Sequence, residues 1–255
     1  MEPVLSSRPA TLDAAPLTAR IGMIILATDH TTEPDFRALV ADDETGLYVA
    51  RIHYANPVTP ENLAAMQPEL TRAAGLILPG EPVDAIMYSC MSASVVIGDE
   101  EVTAAIRAGK PGVTVITPAA ASVAALKALG ARRISILTPY SITTTRPVGA
   151  YFEKAGFTLD RLTCLGLEDD REMARIAPDD ILEQARLATD PASDALFISC
   201  TAVRAARIVP ALEAAIGKPV VSSNLATAWA CRGVTRIHPP DPALGRLMAL
   251  PCPGV

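Results

Sequence analysis

An approximate internal repeat constrains this chain more than any other feature. Arg20-Ile21 recurs as Arg133-Ile134, Gly46 and Arg51 as Gly156 and Arg161, Asp84-Ala85 with Ser89-Cys90 as Asp194-Ala195 with Ser199-Cys200, and Lys110-Pro111 as Lys218-Pro219. The offsets are 113, 110, 110 and 108 residues, in one order along the chain. Apolar strands resemble one another by chance, but four ordered matches at nearly constant spacing indicate duplication. In a chain of 255 residues this limits the fold to two similar halves, each large enough to bury a core.

Both halves alternate short β-branched runs with Ala/Leu-rich stretches, the pattern of parallel βαβ units. Strands are expected at 21–27, 47–53, 84–89, 113–116, 134–138, 158–163, 194–199 and 219–222. A helix should open at Pro118 with Thr117 as its N-cap and stop at Gly130. Comparable helices should follow Asp99 and Ala202, ending at Gly109 and Gly217. The expectation is an α/β protein of two Rossmann-like domains with mainly parallel sheets, related by a pseudo-twofold axis, with the active site in the cleft between them. Residues 1–20 read as an arm, 21–117 plus 225–255 as the first domain and 118–224 as the second. The proline-rich end, Pro239, Pro240, Pro242, Pro251 and Pro253, reads as irregular.

Half the residues are hydrophobic but only 4% are aromatic, so Ala, Val, Ile and Leu must fill the interior. With 28 acidic against 22 basic side chains and a net charge of −6, the surface repels a phosphate backbone. Nucleic acid and anionic membrane are thereby disfavoured as partners. The five cysteines show no CxxC spacing, so neither a zinc site nor a disulfide framework is indicated, and an odd count fits a reducing cytoplasm. The first twenty residues carry Glu2 and Asp13 and no apolar run of signal-peptide length. A cytoplasmic location is expected.

The chemistry should lie where the repeat places Cys90 and Cys200. Each follows an apolar strand and precedes small or hydroxyl residues and a helix. Ligands of open α/β sheets bind outside the carboxyl ends of the strands, and a helix start there favours thiolate. Two such units face to face would put one thiol on each side of a shared cleft. A lone cysteine is more often a small buried hydrophobe, and Cys164, Cys231 and Cys252 read that way.

Two further motifs carry a family resemblance. Thr138-Pro139-Tyr140 ends the fifth strand, and Ser222-Ser223-Asn224 with Trp229 follows the last. With the paired cysteines, these resemble the Asp/Glu racemase superfamily, in its branch of maleate isomerase and arylmalonate decarboxylase, over residues 20 to 235. The resemblance implies two domains with one catalytic cysteine each, no cofactor, and Tyr140 over the substrate carboxylate. The segment Asp29-His30-Thr31 departs from the branch, which typically carries Asn where Asp29 stands. In that respect the chain is similar to the racemase-like protein encoded with bacterial ectoine-utilization genes.

Inverting a carbon acid beside a carboxylate requires a base on one face, an acid on the other and donors for the growing enediolate charge. Cys90 and Cys200 are the expected catalytic pair, each needing only a modest shift to act at neutral pH. Asp29, Met91, Ser92, Tyr140, Thr201 and Ala202 are expected to bind substrate, with His30 and Thr145 placed to tune the site. Asp29 either pairs a cationic amine on the substrate or caps the helix opening near Thr31. The run Glu168-Asp169-Asp170-Arg171-Glu172 reads as a solvated loop. No metal, nucleotide or pyridoxal cofactor is called for, because the chain has neither phosphate-loop motif nor ligand cluster.

The leading expectation is a cofactor-independent racemase or epimerase of a small amino acid or derivative. Its rival is a cis-trans isomerase in which Cys90 adds to an unsaturated diacid and Cys200 moves the proton. Decarboxylation is disfavoured, since the decarboxylase resembled here keeps Gly at the first cysteine position. A non-catalytic carboxylate-binding protein is the reading from another class. The partner is a small carboxylate or amino acid, and a homo-oligomer is expected.

Overall fold

A computed structural model describes residues 1–252; the irregular reading of Pro253 lies outside the described residues. The first half runs β1 (Ala19–Leu26), α1 (Thr32–Leu39), β2 (Thr45–Ile52), α2 (Pro60–Ala64), α3 (Gln67–Leu76), β3 (Ala85–Ser89), α4 (Met91–Ile97), α5 (Asp99–Gly109) and β4 (Thr114–Ile116). The second runs α6 (Pro118–Ala128), β5 (Arg133–Tyr140), α7 (Ile142–Lys154), β6 (Thr158–Leu167), α8 (Asp170–Met173), α9 (Pro178–Ala188), β7 (Ala195–Ile198), α10 (Val209–Ile216), β8 (Val220–Ser222) and α11 (Ser223–Thr235). Every expected strand is present, within a few residues of its expected ends.

The strands form two four-stranded parallel sheets, ordered β2-β1-β3-β4 and β6-β5-β7-β8. The repeat is visible in their register. Ile21 pairs with Ala85 in the first sheet, and Ile134 pairs with Ala195 in the second. Its polar members explain themselves as strand clamps. Asp84 accepts from the Arg20 backbone N–H at 2.7 Å, while Asp194 accepts from those of Arg132 and Arg133, each at 2.9 Å. Lys110 donates to the carbonyls of Ile77 and Leu78, and Lys218 to those of Pro191 and Ser193. Both lysines grip the loop that leads into the central strand of their own sheet.

The central strands are apolar because helices cover both faces. Residues 85–89 are buried throughout, as are 195–198. Thr117 caps α6 by accepting from the Ala120 N–H at 3.2 Å, and α10 ends at Gly217 in the left-handed conformation that glycine adopts without strain. The helix expected directly after Ala202 does not form there. Residues 201–205 are turns, a short 3-10 turn spans Ala206–Ile208, and α10 begins only at Val209. The backbone carbonyls of Thr201 and Ala202 are instead taken by tertiary donors, Asn224 Nδ2 and Thr31 Oγ1, at 2.9 and 2.8 Å. From the end of β8, α11 packs on α6 and α1 and along the first sheet. Among the described residues, no helix is long and apolar enough to cross a membrane.

Candidate active site

In each sheet the topological switch lies between the first strand and the third, where a crevice opens at the carboxyl ends. The β1 end delivers Asp29, β3 delivers Cys90, β5 ends on Tyr140, and β7 delivers Cys200. All four line one narrow, nearly filled cavity, together with Met91, Ser92, Thr201 and Ala202. Wider hollows exist, about 720 and 670 Å³ on two sides of Trp229, but none brings two thiols and several donors together.

Cys90 has an extended backbone and is the residue from which α4 starts. Its thiol sits 3.8 Å from the Ser92 hydroxyl, and the nearby Ala93 N–H favours its thiolate. Ser94 Oγ donates back to the Cys90 carbonyl at 2.7 Å and fixes this first turn. Cys200 is different. Its φ of +88° lies in the left-handed region, a conformation that costs a residue other than glycine about 1–3 kcal/mol. The turn brings the Ala202 N–H to 3.4 Å from the Cys200 sulfur, and the Tyr140 phenol beside it lowers the cost of the thiolate.

Burial dominates the electrostatics of both thiols. It pushes Cys90 up to about 11, against the pull of Ala93 and Ser92, and Cys200 up to about 12, against Tyr140 and Ala202. The modest shift expected from the sequence is thus replaced by a rise, because both residues are more than nine-tenths buried. Desolvation of a thiolate there outweighs what the helix start returns.

Asp29 caps α1. Oδ1 accepts from the N–H groups of Thr31 and Thr32 at 2.9 and 2.8 Å, and Oδ2 accepts from the Thr32 hydroxyl at 2.6 Å. Burial nevertheless holds its carboxyl above the ordinary value, and it still faces the cavity. Arg51 supports the same loop, donating to the carbonyls of Leu26, Ala27 and Asp29 and pairing with Glu33.

His30 does not reach the thiols. Its side chain is exposed and lines an open hollow outside the cavity with Asp169, Arg171 and Arg204. Thr145 is buried on α7, where its hydroxyl pairs with that of Thr138 at 2.5 Å, outside the cavity lining. Five lining residues escaped the sequence reading: Leu26, Tyr54, Val58, Asp170 and Met173. Asp170 corrects the solvated-loop reading, being only 6% exposed, with Asn56 Nδ2 donating to it at 2.9 Å and the Thr28 hydroxyl also donating. No local signal sets it apart from the charged run around it: Asp169 caps α8 and Asp170 opens that helix. Among the described residues, no group of three or more His, Cys, Asp or Glu side chains is arranged to hold a metal ion.

Known proteins with this arrangement share its geometry and its extent. A family model described as arylmalonate decarboxylase matches residues 49–248. The maleate isomerase of Nocardia farcinica is 30% identical over 240 residues, covering 90% of this chain and 95% of that one. Arylmalonate decarboxylase of Bordetella bronchiseptica is 27% identical over 228 residues, covering 83% and 88%. Among solved structures, a Cys-to-Ser mutant of the Nocardia farcinica maleate cis-trans isomerase, with a covalently bound succinylcysteine intermediate, superposes with a TM-score of 0.82 at 28% identity, covering 91% of this chain and 98% of that one. A sequence match from the second strand to the C-terminal segment, with the two-sheet fold preserved around it, leads to one assignment: the chain belongs to the arylmalonate decarboxylase family.

Proposed function

We propose that this protein is a cofactor-independent cis-trans isomerase of a small unsaturated carboxylate, working through a covalent adduct on Cys90. The observation that carries the reading is the convergence of two thiols, one from each sheet, on one small cavity. Support comes also from the relatives, several of which are maleate isomerases, one seen with a succinylcysteine intermediate. The racemase reading and a role in ectoine use rest on the sequence resemblance alone.

In the proposed cycle the Cys90 thiolate adds to one alkene carbon, forming the C–S bond. The alkene electron pair moves to the neighbouring carbon, where the substrate carboxylate spreads it as an enediolate. Cys200 gives that carbon its thiol proton, leaving a Cys200 thiolate and a freely rotating C–C single bond. After rotation, the Cys200 thiolate removes the proton, the double bond re-forms in the trans arrangement, and the C–S pair returns to Cys90. The two roles follow from local structure. Cys90 opens a helix directly and Cys200 does not, which assigns the attack to Cys90, and burial raises both thiols, so that Cys200 keeps its proton to give. The Ser92 and Thr201 hydroxyls, the N–H groups after each cysteine and the Tyr140 phenol supply donors for the carboxylate and its enediolate.

The test is mass spectrometry of the intact protein after incubation with maleate and with other small cis-alkenoates. Cys200→Ser should accumulate an adduct of one substrate mass on Cys90, Cys90→Ser should form none, and wild type should release the trans product. If wild type instead exchanges the α-proton of an amino acid with deuterium oxide and forms no alkene adduct, the racemase reading replaces this one.

A further inference from the structure

The cavity that holds the two thiols has an acidic lining. Asp29 and Asp170 both line it, both are more than nine-tenths buried, and no Arg, Lys or His side chain joins them in the lining. The carboxylate of Asp170 is held by neutral groups, the Asn56 amide and the Thr28 hydroxyl. Its neighbour Asp169 takes the Arg171 guanidinium instead. Tyr54 adds an independent observation. Its ring is 6% exposed and lines the same cavity, and among the described residues its hydroxyl has no hydrogen-bond partner. Burial raises that phenol above its ordinary range, with the charges of Asp170 and both thiols adding to the effect.

A doubly charged diacid would bring its second carboxylate against these groups, and like charges in contact in a desolvated site cost several kcal/mol. A substrate with a cation at that end removes the conflict and gives the buried carboxylates and the free phenol a partner. We infer that the preferred substrate is a small cis-alkenoate with one carboxylate and one cationic amino group, and that Asp170, assisted by Asp29 and Tyr54, determines this specificity. The inference rests on the isomerase reading and narrows its substrate class. Asp29 is already committed to capping α1, so Asp170 is the residue whose charge can be altered with least effect on the fold. Asn at position 170 keeps the shape and can still bond both Asn56 and Thr28.

The experiment follows cis-to-trans conversion of (Z)-4-aminobut-2-enoate and of maleate by proton NMR, for wild type and Asp170→Asn. Alkylation of Cys90 by iodoacetamide serves as a control for site integrity. Wild type should show kcat/KM for the amino acid about a hundredfold above that for maleate. Asp170→Asn should lower that ratio at least about tenfold, chiefly by improving maleate, while Cys90 stays open to alkylation and reacts faster, because the Asp170 charge no longer holds the thiol up. Wild type turning over maleate as well as or better than the amino substrate would overturn the inference and leave the isomerase reading standing. A fall by one common factor for both substrates in Asp170→Asn would reduce Asp170 to a stitch between loops and overturn its role in specificity. Failure of wild type and Asp170→Asn to convert either compound or to form a Cys90 adduct would overturn the isomerase reading, and this inference with it.

Discussion

The two cysteine elements begin as copies and end as different structures. Ser89-Cys90 and Ser199-Cys200 close equivalent strands, yet Cys90 enters a helix at once, while Cys200 turns through a left-handed conformation into a run of turns. In the first half the chain's own local bonds set the geometry: the Ser94 N–H and hydroxyl both bond the Cys90 carbonyl. In the second half, distant side chains do so. Asp35 on α1 accepts from Arg207 at 3.0 Å and from Asn224 at 2.9 Å, and Asn224 in turn holds the Thr201 carbonyl. Duplication therefore supplied two thiols, and tertiary contacts made them unequal. Inequality is what an adduct-forming mechanism needs, one thiol to attack and one to hand over a proton.

The most severe challenge to that asymmetry is to remove each thiol. Cys90→Ser and Cys200→Ser should each lower kcat by about 10⁴-fold or more, and the double mutant should be no slower than Cys90→Ser alone, because groups acting as one unit lose their effect together. Steady-state rates on one substrate decide this. A double mutant slower by the product of the two single effects would mean that the thiols act independently.

A smaller effect, about a hundredfold over two pH units, sharpens the electrostatic side. With Cys90 at about 11 and Cys200 at about 12, the thiolate fraction of each grows tenfold per unit throughout the neutral range. Iodoacetamide alkylation of both should rise with unit slope from pH 7 to 9 without levelling. Levelling of the Cys90 rate below pH 8 would show that the helix start outweighs burial. The sign is fixed by the chemistry: the thiolate reacts, so raising pH toward the thiol value speeds the reaction.

The smallest effect concerns stability. Asn224→Ala removes two buried hydrogen bonds and leaves the Asp35 carboxylate and the Thr201 carbonyl short of a donor, which should cost about 1–3 kcal/mol. Ser94→Ala, the local counterpart in the first half, should cost about 0.5–1.5 kcal/mol. Urea denaturation of both variants measures the difference. Equal losses would mean that the second turn is set locally after all.

What could be read from the chain followed from short-range chemistry and from repetition. The parallel strands are apolar runs because both sheet faces are covered, and the residues bounding them, Asp84 and Asp194, Lys110 and Lys218, recur because each clamps a strand or its approach. Cys90, Cys200 and the neighbours that line the cavity were legible because the ends of parallel strands must gather at one edge. His30 was misjudged for the same reason that Asp29 was found: adjacent loop residues point in opposite directions, and sequence does not say which one faces inward.

Tyr54 and Val58, in a loop, and Asp170 and Met173, at the two ends of the short α8, lie outside the repeat, and nothing in their local sequence announces a site. They meet because Val58 donates its N–H to the Glu168 carbonyl at 2.8 Å and Asn56 bonds both Asp169 and Asp170, contacts that span more than a hundred residues. The sequence by itself determined the strands, their division between two similar halves and the pairing of the thiols, since these rest on hydrophobic period and on a duplicated pattern. The tertiary structure alone decided the conformation at Cys200, the rise of both thiols and the acidic wall of the cavity. Burial and long-range hydrogen bonds set those properties, and both depend on which distant segments come to rest against one another.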